Sequence, residues 1–254
     1  MILAIDIGNT NIVIGVIDEE KIYFIERVAT IKTKTEAEYA IDFKIILDLH
    51  KINPQDIKGG IVSSVVPQIT KLVEIAIKKV IEEDVLVLGP ETQTGLNILI
   101  DNPAQLGNDM IAGAVAGIAE YEVPMAIIDM GTATTIVVLD EDKNCLGVMI
   151  APGVQVALDS LTVNAAQLQG IALEAPQKVI GKNTTDSLMS GVIYGSAAMI
   201  DGLISRIEEE LGERVTIVAT GGLAKVIVPH CRREVILDDD LLLKGLLIIY
   251  NKNK

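Results

Sequence analysis

The stretches "AIDIGNTNIVIGV" (residues 4–16) and "IIDMGTATTIVVL" (residues 127–139) follow one pattern. Each has an apolar run, an Asp, one apolar residue, a Gly, small polar residues and a second apolar run. Their aspartates, Asp6 and Asp129, are separated by about half of the 254-residue chain. An apolar run that stops at Asp, Gly and small polar residues predicts a buried strand that ends in a tight turn. The repetition predicts a chain built from two matching halves.

The sequence around these stretches extends the repeat. Each turn is followed by two more segments rich in Ile and Val, and then by alternating patterns of helices and strands. In the first half, Thr35 and Glu38 have the spacing of a capping box, and Pro67 is placed to open a helix. In the second half, a long helix is predicted from about Thr184 to Leu211. We place the join near residues 113–124, which predicts an N-terminal half of residues 1–115 and a C-terminal half of residues 116–254.

Composition excludes several classes of function. The net charge of −14 argues against a nucleic-acid partner, because phosphate binding needs a basic face. No apolar run reaches the roughly 18 residues of a membrane span, and the N-terminus lacks the basic region and cleavage site of a signal peptide. The two cysteines fit free thiols in a reducing compartment. We therefore expect a cytoplasmic α/β protein with no membrane partner.

The repeated turns have the chemistry of a nucleotide site. Gly8 and Gly131 would let the backbone approach a ligand closely, and the carboxylates of Asp6 and Asp129 offer hard oxygen ligands for a cation. The N–H groups of the turns would serve phosphates. Ordinary hairpin turns also favour Asp, Asn and Gly, and either turn alone is better explained in that way. The occurrence of both turns at equivalent places favours a ligand site in the cleft between the halves.

The stretch "IVATGGL" (217–223) adds a third candidate. A buried strand ends there in Gly221 and Gly222, just before a helix. Two glycines would let a flat, uncharged group such as adenosine lie against the backbone. A turn that only opens the helix is the alternative.

The order of these motifs resembles that of the superfamily of acetate and sugar kinases, heat-shock chaperones and actin. Within it, the chain is similar to type III pantothenate kinases over nearly its whole length. The matching stretches, in order, are "DIGNTNIVIG" (6–15), "SSVVP" (63–67), "TGLNI" (94–98), "DNP" (101–103), "GND" (107–109), "IDMGTATT" (128–135), "APG" (151–153), "VIGKNT" (179–184), "SGVIYG" (190–195) and "ATGGLA" (219–224).

The resemblance implies a fold, a reaction and a set of partners. The fold is two duplicated ribonuclease H-like domains, the halves of an actin-like ATPase, with an interdomain cleft. The reaction is the ATP-dependent phosphorylation of pantothenate to 4'-phosphopantothenate, the first step of coenzyme A biosynthesis. The resemblance also implies a magnesium ion with ATP, a monovalent cation (potassium or ammonium) and a homodimer.

The same resemblance gives roles to individual residues. Asp109 is the implied general base, Asp129 the ligand of the monovalent cation, and Asp6 the residue near magnesium. The residues implied in ATP binding are Asp6, Ile7, Gly8, Asn9, Thr10, Asn11, Ile12, Val13, Thr132, Gly221 and Gly222. The residues implied in substrate binding are Ile100, Gly107, Asn108, Asp109, Met110 and Thr184. For Asp109 and for Thr184, capping of the following helix is the structural alternative.

The chain departs from the family pattern mainly on the acceptor side. The family usually has Arg where Met110 stands, often Tyr at Ile100, commonly a basic residue at Gln93, and an Arg at Asn164. Pantothenate carries a carboxylate, and losing cationic partners removes charge-assisted hydrogen bonds. Two alternatives therefore stay open: a kinase of this fold that acts on another small alcohol, and a non-catalytic nucleotide-binding homologue. Retention of Asp6, Asp109 and Asp129 favours an enzyme.

Overall fold

The computed structural model describes residues 1–162 and 172–254 and divides into two compact units. Unit 1 contains Met1–Leu96, Asp101–Ala119 and Leu241–Lys254, and unit 2 contains Asn97–Ile100 and Glu120–Asp240. The predicted halves differ from these units in three segments. Residues 97–100 lie in unit 2, whereas residues 116–119 and the last helix lie in unit 1.

Unit 1 is a five-stranded mixed sheet with helices on both faces. Its strands are β1 (Ile2–Ile7), β2 (Asn11–Ile17), β3 (Ile22–Ala29), β4 (Gly60–Ser64) and β5 (Val85–Val87), in the order β3-β2-β1-β4-β5. Its helices are α1 (Glu36–Leu49), α2 (Pro67–Ile81), α3 (Asn108–Glu120) and α7 (Leu241–Lys252). β1 and β2 are antiparallel, whereas β4 and β5 run parallel to β1. The carboxyl ends of β1, β4 and β5 therefore lie at one edge of the sheet.

The two faces of this sheet belong to two apolar clusters. Alternate residues of β1 separate them: Leu3 and Ile5 pack with α1 and α2, whereas Ile2 and Ala4 pack with α3 and α7. This is the two-residue period expected of a strand that is buried on both faces. The capping box of α1 and the opening of α2 by a proline are both confirmed.

The last helix completes unit 1 because it crosses α3 at close range. A Cβ on Gly245 would overlap the carbonyl group of Ala112, so only glycine allows this approach. Leu243, Leu246 and Ile249 of α7 are buried in the cluster that contains Ile2 and Ala4.

Unit 2 repeats the sheet of unit 1 and adds one strand. Its strands are β6 (Asn97–Ile98), β7 (Met125–Met130), β8 (Ala133–Leu139), β9 (Asn144–Pro152), β10 (Thr216–Thr220) and β11 (Ile236–Leu237), in the order β11-β10-β7-β8-β9-β6. Its helices are α4 (Val154–Thr162), α5 (Thr184–Leu211) and α6 (Ala224–Ile227). Without β6, the order and the directions match those of unit 1, and three strands precede the alternating helices and strands as the sequence predicts. β6 pairs in parallel with β9 at the free edge.

The long helix α5 has the predicted bounds and forms the core of unit 2. Among the described helices, it alone is long and apolar enough to cross a membrane by length and composition. Its residues Ile193, Ala197, Ile200 and Ile204 are buried at intervals of three and four, so one face packs into the apolar cluster of the unit. This pattern is that of a core helix.

Smaller differences from the sequence prediction concern the ends of elements. The apolar run "GGIVSSVV" (59–66) predicts a buried strand, which forms only over Gly60–Ser64, and the run "EVIL" (234–237) predicts a strand that has only two residues. The sequence also predicts a helix from about Val156 to Leu168; it begins at Val154, and its predicted end lies outside the described residues.

Candidate active site

The first candidate site lies at the carboxyl edge of the sheet in unit 1. Asp6 is the penultimate residue of β1, and its register partner in the parallel strand β4 is Ser63. The hydroxyl of Ser63 donates a hydrogen bond of 2.7 Å to Oδ1 of Asp6. Ser63 is fully buried, whereas Asp6 is half-buried. The buried hydroxyl of Ser63 thus supports the Asp6 carboxylate from the interior of unit 1.

The hairpin that follows Asp6 is closed by the backbone and braced by the end of β3. The N–H of Gly8 donates to the carbonyl of Asn11 at 3.0 Å, and the hydroxyl of Thr30 donates to the carbonyl of Gly8 at 2.7 Å. Asn9, Thr10 and Asn11 are exposed. The tip of the hairpin is therefore accessible to a ligand while its base is fixed.

The predicted phosphate loop is not uniform along its length. The side chains of Ile7 and Ile12 are fully buried in the apolar cluster under α1 and α2. These two residues can offer a ligand only their backbone groups. The side chains of Asn9, Thr10 and Asn11 remain candidates for contacts.

Asn108 connects the start of α3 to the same edge of the sheet. Its Nδ2 lies 3.4 Å from the carbonyl of Ser64, the last residue of β4, and 3.3 Å from the carbonyl of Leu88, just after β5. Both carbonyl groups belong to carboxyl ends of strands parallel to β1. Asp109, the next residue, is consequently placed at the strand edge that carries Asp6.

The carboxyl group of Asp109 lies within the first turn of α3. Its Oδ1 accepts a hydrogen bond of 2.8 Å from the N–H of Met110, and α3 begins one residue earlier, at Asn108. The alternative of an N-cap at Asp109 is therefore wrong. Burial raises the pKa of Asp109 above its ordinary value of 3.8, although hydrogen bonds from the backbone act in the opposite direction. A raised pKa makes this carboxylate a stronger proton acceptor once it is ionised.

Unit 2 presents an equivalent carboxylate and a tighter hairpin. Asp129 is the penultimate residue of β7, and its register partner in β10 is Thr220, as Ser63 is for Asp6. The hairpin is one residue shorter, because Gly131 donates to the carbonyl of Ala133 at 3.0 Å. The two units therefore match even in single polar residues at the strand ends.

The two glycines after β10 have different environments. Gly221 has a φ of 95°, and a Cβ there would overlap Oδ1 of Asp129 and the N–H of Met130. Close packing within unit 2 thus requires a glycine at position 221. Nothing lies within 4 Å of the corresponding position on Gly222, which is exposed. Gly222 is consequently the better candidate for contact with a flat group.

The residues implied in substrate binding are distributed over both units. Gly107, Asn108, Asp109 and Met110 surround the start of α3 in unit 1, and Ile100 follows β6 in unit 2. Asn164 lies outside the described residues.

Thr184 is the exposed first residue of α5 in unit 2. The cap of that helix is Asn183, whose Oδ1 accepts from the N–H of Asp186 at 2.8 Å. Capping therefore does not account for Thr184.

The oxygen ligands suit a magnesium–nucleotide complex better than a metal site made by protein alone. Across residues 1–162 and 172–254, no group of three or more His, Cys, Asp or Glu could hold a metal ion. Magnesium in phosphoryl transfer is commonly bound by one or two carboxylates together with substrate phosphates. The half-buried carboxylate of Asp6, beside an exposed hairpin, fits that requirement.

Comparison with known proteins places these features in a family. The family model of type III pantothenate kinase matches residues 2–206. A type III pantothenate kinase of an Exiguobacterium species is 41% identical over 254 residues, and the alignment covers the whole of both chains. The chain belongs to the type III pantothenate kinase family. Its reaction is accordingly the ATP-dependent phosphorylation of pantothenate, which begins coenzyme A biosynthesis.

Solved structures of more distant proteins confirm the fold expected of a type III pantothenate kinase. The activator of 2-hydroxyisocaproyl-CoA dehydratase from Clostridium difficile, solved with bound ADPNP, has a TM-score of 0.58 at 14% identity, with 98% of this chain and 93% of that chain covered. The ROK hexokinase from Thermus thermophilus has a TM-score of 0.50 at 12% identity, with coverages of 100% and 99%.

Sequence reasoning missed one polar residue at this site. Ser63 belongs to the motif "SSVVP", but the motif by itself gives it no role. The available signal was a pair of hydroxyl residues at the end of an apolar strand. Ser63 contacts Asp6 because β4 runs parallel to β1 in a register that pairs the two residues.

Proposed function

We propose that this chain uses Asp109 as the general base that activates the primary hydroxyl of pantothenate for attack on the γ-phosphorus of ATP. The observation that carries this proposal is the placement of Asp109 by Asn108. The Asn108 amide bonds to the ends of β4 and β5, and so the base lies at the strand edge that carries Asp6 and the exposed hairpin. Positioning of the reactants is the main task of a protein in phosphoryl transfer.

The nucleotide side of the reaction is assigned to the hairpin after Asp6. Exposed Asn9 and Thr10 and the backbone of Gly8 would hold phosphate oxygens. Asp6 would hold the magnesium ion, which would offset the negative charge of the phosphates. The buried side chains of Ile7 and Ile12 anchor the base of the hairpin in the apolar cluster under α1 and α2.

The acceptor side depends on the protonation state of Asp109. The ionised carboxylate would accept the hydroxyl proton as the oxygen attacks, and its neighbour Met110 holds Oδ1 through a backbone N–H. A pKa raised by burial brings the base closer to the working pH, where proton transfer is more effective. In a loose transition state, orientation of the hydroxyl matters more than its early deprotonation.

The monovalent cation and the homodimer of the proposal follow from membership of the family, and the location and the excluded partners follow from the composition. Asp129 would bind a monovalent cation, potassium or ammonium, at the end of β7. Two chains would form a homodimer in the cytoplasm, with no nucleic-acid or membrane partner.

A single assay tests the proposed chemistry. Purified protein is supplied with ATP, magnesium and pantothenate, and ADP release is followed while the product is identified by mass spectrometry. We expect saturable turnover that forms 4'-phosphopantothenate. The neutral analogue pantothenol and a panel of small alcohols serve as alternative acceptors. Efficient turnover of another alcohol with none of pantothenate would contradict the proposal.

A further inference from the structure

The hydrogen bond between Ser63 and Asp6 joins two strand ends at the nucleotide side of the site. Ser63 donates from a fully buried position to Oδ1 of Asp6 at 2.7 Å. The two residues are register partners in parallel strands, so their side chains lie side by side on the same face. The same register in unit 2 pairs Thr220 with Asp129, and Thr220 is also buried. A buried hydroxyl residue therefore accompanies the strand-end aspartate in both halves of the duplication.

We propose that Ser63 is a positioning residue that holds the Asp6 carboxylate in the orientation needed by the magnesium–nucleotide complex. This inference rests on the proposed role of Asp6 at magnesium. Ser63 itself would touch neither the nucleotide nor the metal. Its hydroxyl acts through one carboxylate oxygen of Asp6.

The burial of Ser63 is the reason that its hydroxyl matters. An exposed donor could be replaced by water at little cost, but water has no access to a residue with no exposed surface. Magnesium requires nearly ideal octahedral geometry, so a carboxylate that rotates away from its direction binds the ion less well. Removal of the hydroxyl should consequently weaken the metal-dependent part of nucleotide binding.

The neighbouring Ser64 provides a matched control because its hydroxyl has a different task. Its Oγ lies 2.7 Å from Oγ1 of Thr70 and accepts from the N–H of Val66 at 3.1 Å. These contacts connect the end of β4 to the start of α2. Ser64→Ala therefore removes a hydroxyl from the same strand without touching the contact to Asp6.

The experiment measures the affinity of the full chain for a non-hydrolysable ATP analogue by calorimetry, once with excess magnesium and once with EDTA. We expect Ser63→Ala to lose about tenfold in affinity with magnesium, the loss that corresponds to one charge-assisted hydrogen bond, and to keep its affinity in EDTA. Ser63→Thr should retain the magnesium effect, since threonine occupies the equivalent place in unit 2. Ser64→Ala should keep both affinities.

Asp6→Asn separates failure of this inference from failure of the proposed function. If Asp6→Asn loses the magnesium effect and Ser63→Ala keeps it, the positioning role is overturned and the role of Asp6 stands. If both variants keep the magnesium effect, the magnesium role of Asp6 is refuted, and so is this inference. Equal losses for Ser63→Ala in magnesium and in EDTA would show a merely structural hydroxyl. If Ser63→Ala does not fold, Ser63→Cys, which keeps the volume but donates weakly, is measured instead with the same expected direction.

Discussion

Replacing Asp109 by Asn should lower activity without lowering stability. Asn keeps the shape of the side chain and an oxygen that can accept from the N–H of Met110, which now donates to Oδ1 at 2.8 Å. It cannot take a proton. A positioned general base contributes about 10²–10⁴-fold to the rate, and the loose transition state of phosphoryl transfer favours the lower end. We expect kcat to fall by about 10²-fold, which corresponds to about 2.7 kcal/mol.

The stability of the same variant follows from the sign of the pKa shift. Burial raises the pKa of Asp109 in the folded chain, so the folded state holds the proton more tightly than the unfolded state does. The contribution of this group to stability is then fully present below its unfolded pKa and is lost as the pH rises through its folded pKa. At pH 7 the buried charge is therefore unfavourable for folding. Asp109→Asn removes it, and we expect the Tm at pH 7 to be unchanged or higher.

The measurement combines steady-state kinetics with thermal unfolding at pH 7. Glu36→Gln is the matched control, because it removes a half-buried first-turn carboxylate, paired with Lys79, from α1 of the same unit. It should leave kcat unchanged. In the unmodified chain, kcat/KM should rise with pH through the raised pKa of Asp109. A kcat for Asp109→Asn close to that of the unmodified chain, or a Tm several degrees lower, would refute the reasoning.

Three other substitutions or treatments test separate features. Met110→Arg should lower the KM for pantothenate but not for neutral pantothenol if the position contacts the substrate carboxylate; an equal gain in kcat for both would instead indicate that the arginine positions Asp109. Gly221→Ala places a Cβ against Oδ1 of Asp129 at a φ of 95°, and we expect both a lower Tm and a higher concentration of potassium for half-maximal activity. An unchanged potassium response would contradict the cation assignment. Burial raises the pKa of Cys231 to about 11, so iodoacetamide should modify it far more slowly at pH 8 than a free thiol of ordinary pKa. Rapid labelling, read by mass spectrometry, would contradict that environment.

Local sequence patterns were sufficient to predict the duplicated architecture. The two hairpins, the capping box at Thr35 and the full extent of α5 depend on neighbours within a few residues, and all of them are present. The register that brings Ser63 beside Asp6 could not be predicted in this way. It pairs residues that are far apart in the chain, and the pattern of an apolar strand does not state which strand lies next to it.

Two other features also depended on distant contacts. The strand β6 has only two residues, too few for a periodic signal. The helix α7 is apolar enough to pack on either sheet. The sequence prediction therefore placed it in the C-terminal half, with the segments just before it in the chain. In the structure, the close approach of Gly245 to Ala112 packs α7 into unit 1. A glycine inside a helical pattern does not by itself indicate which helix it will contact.

The position of α7 has a consequence for the order in which the newly made chain can fold. The ribosome releases residues 97–100 and 120–240 of unit 2 before it releases α7, so unit 2 can finish while unit 1 still lacks a helix. Until then, the apolar face of β1 that contains Ile2 and Ala4 has no cover from Leu243, Leu246 and Ile249. Of the two units, unit 1 is thus begun first and completed last. A nascent chain stalled before residue 241 would present this surface to chaperones and proteases.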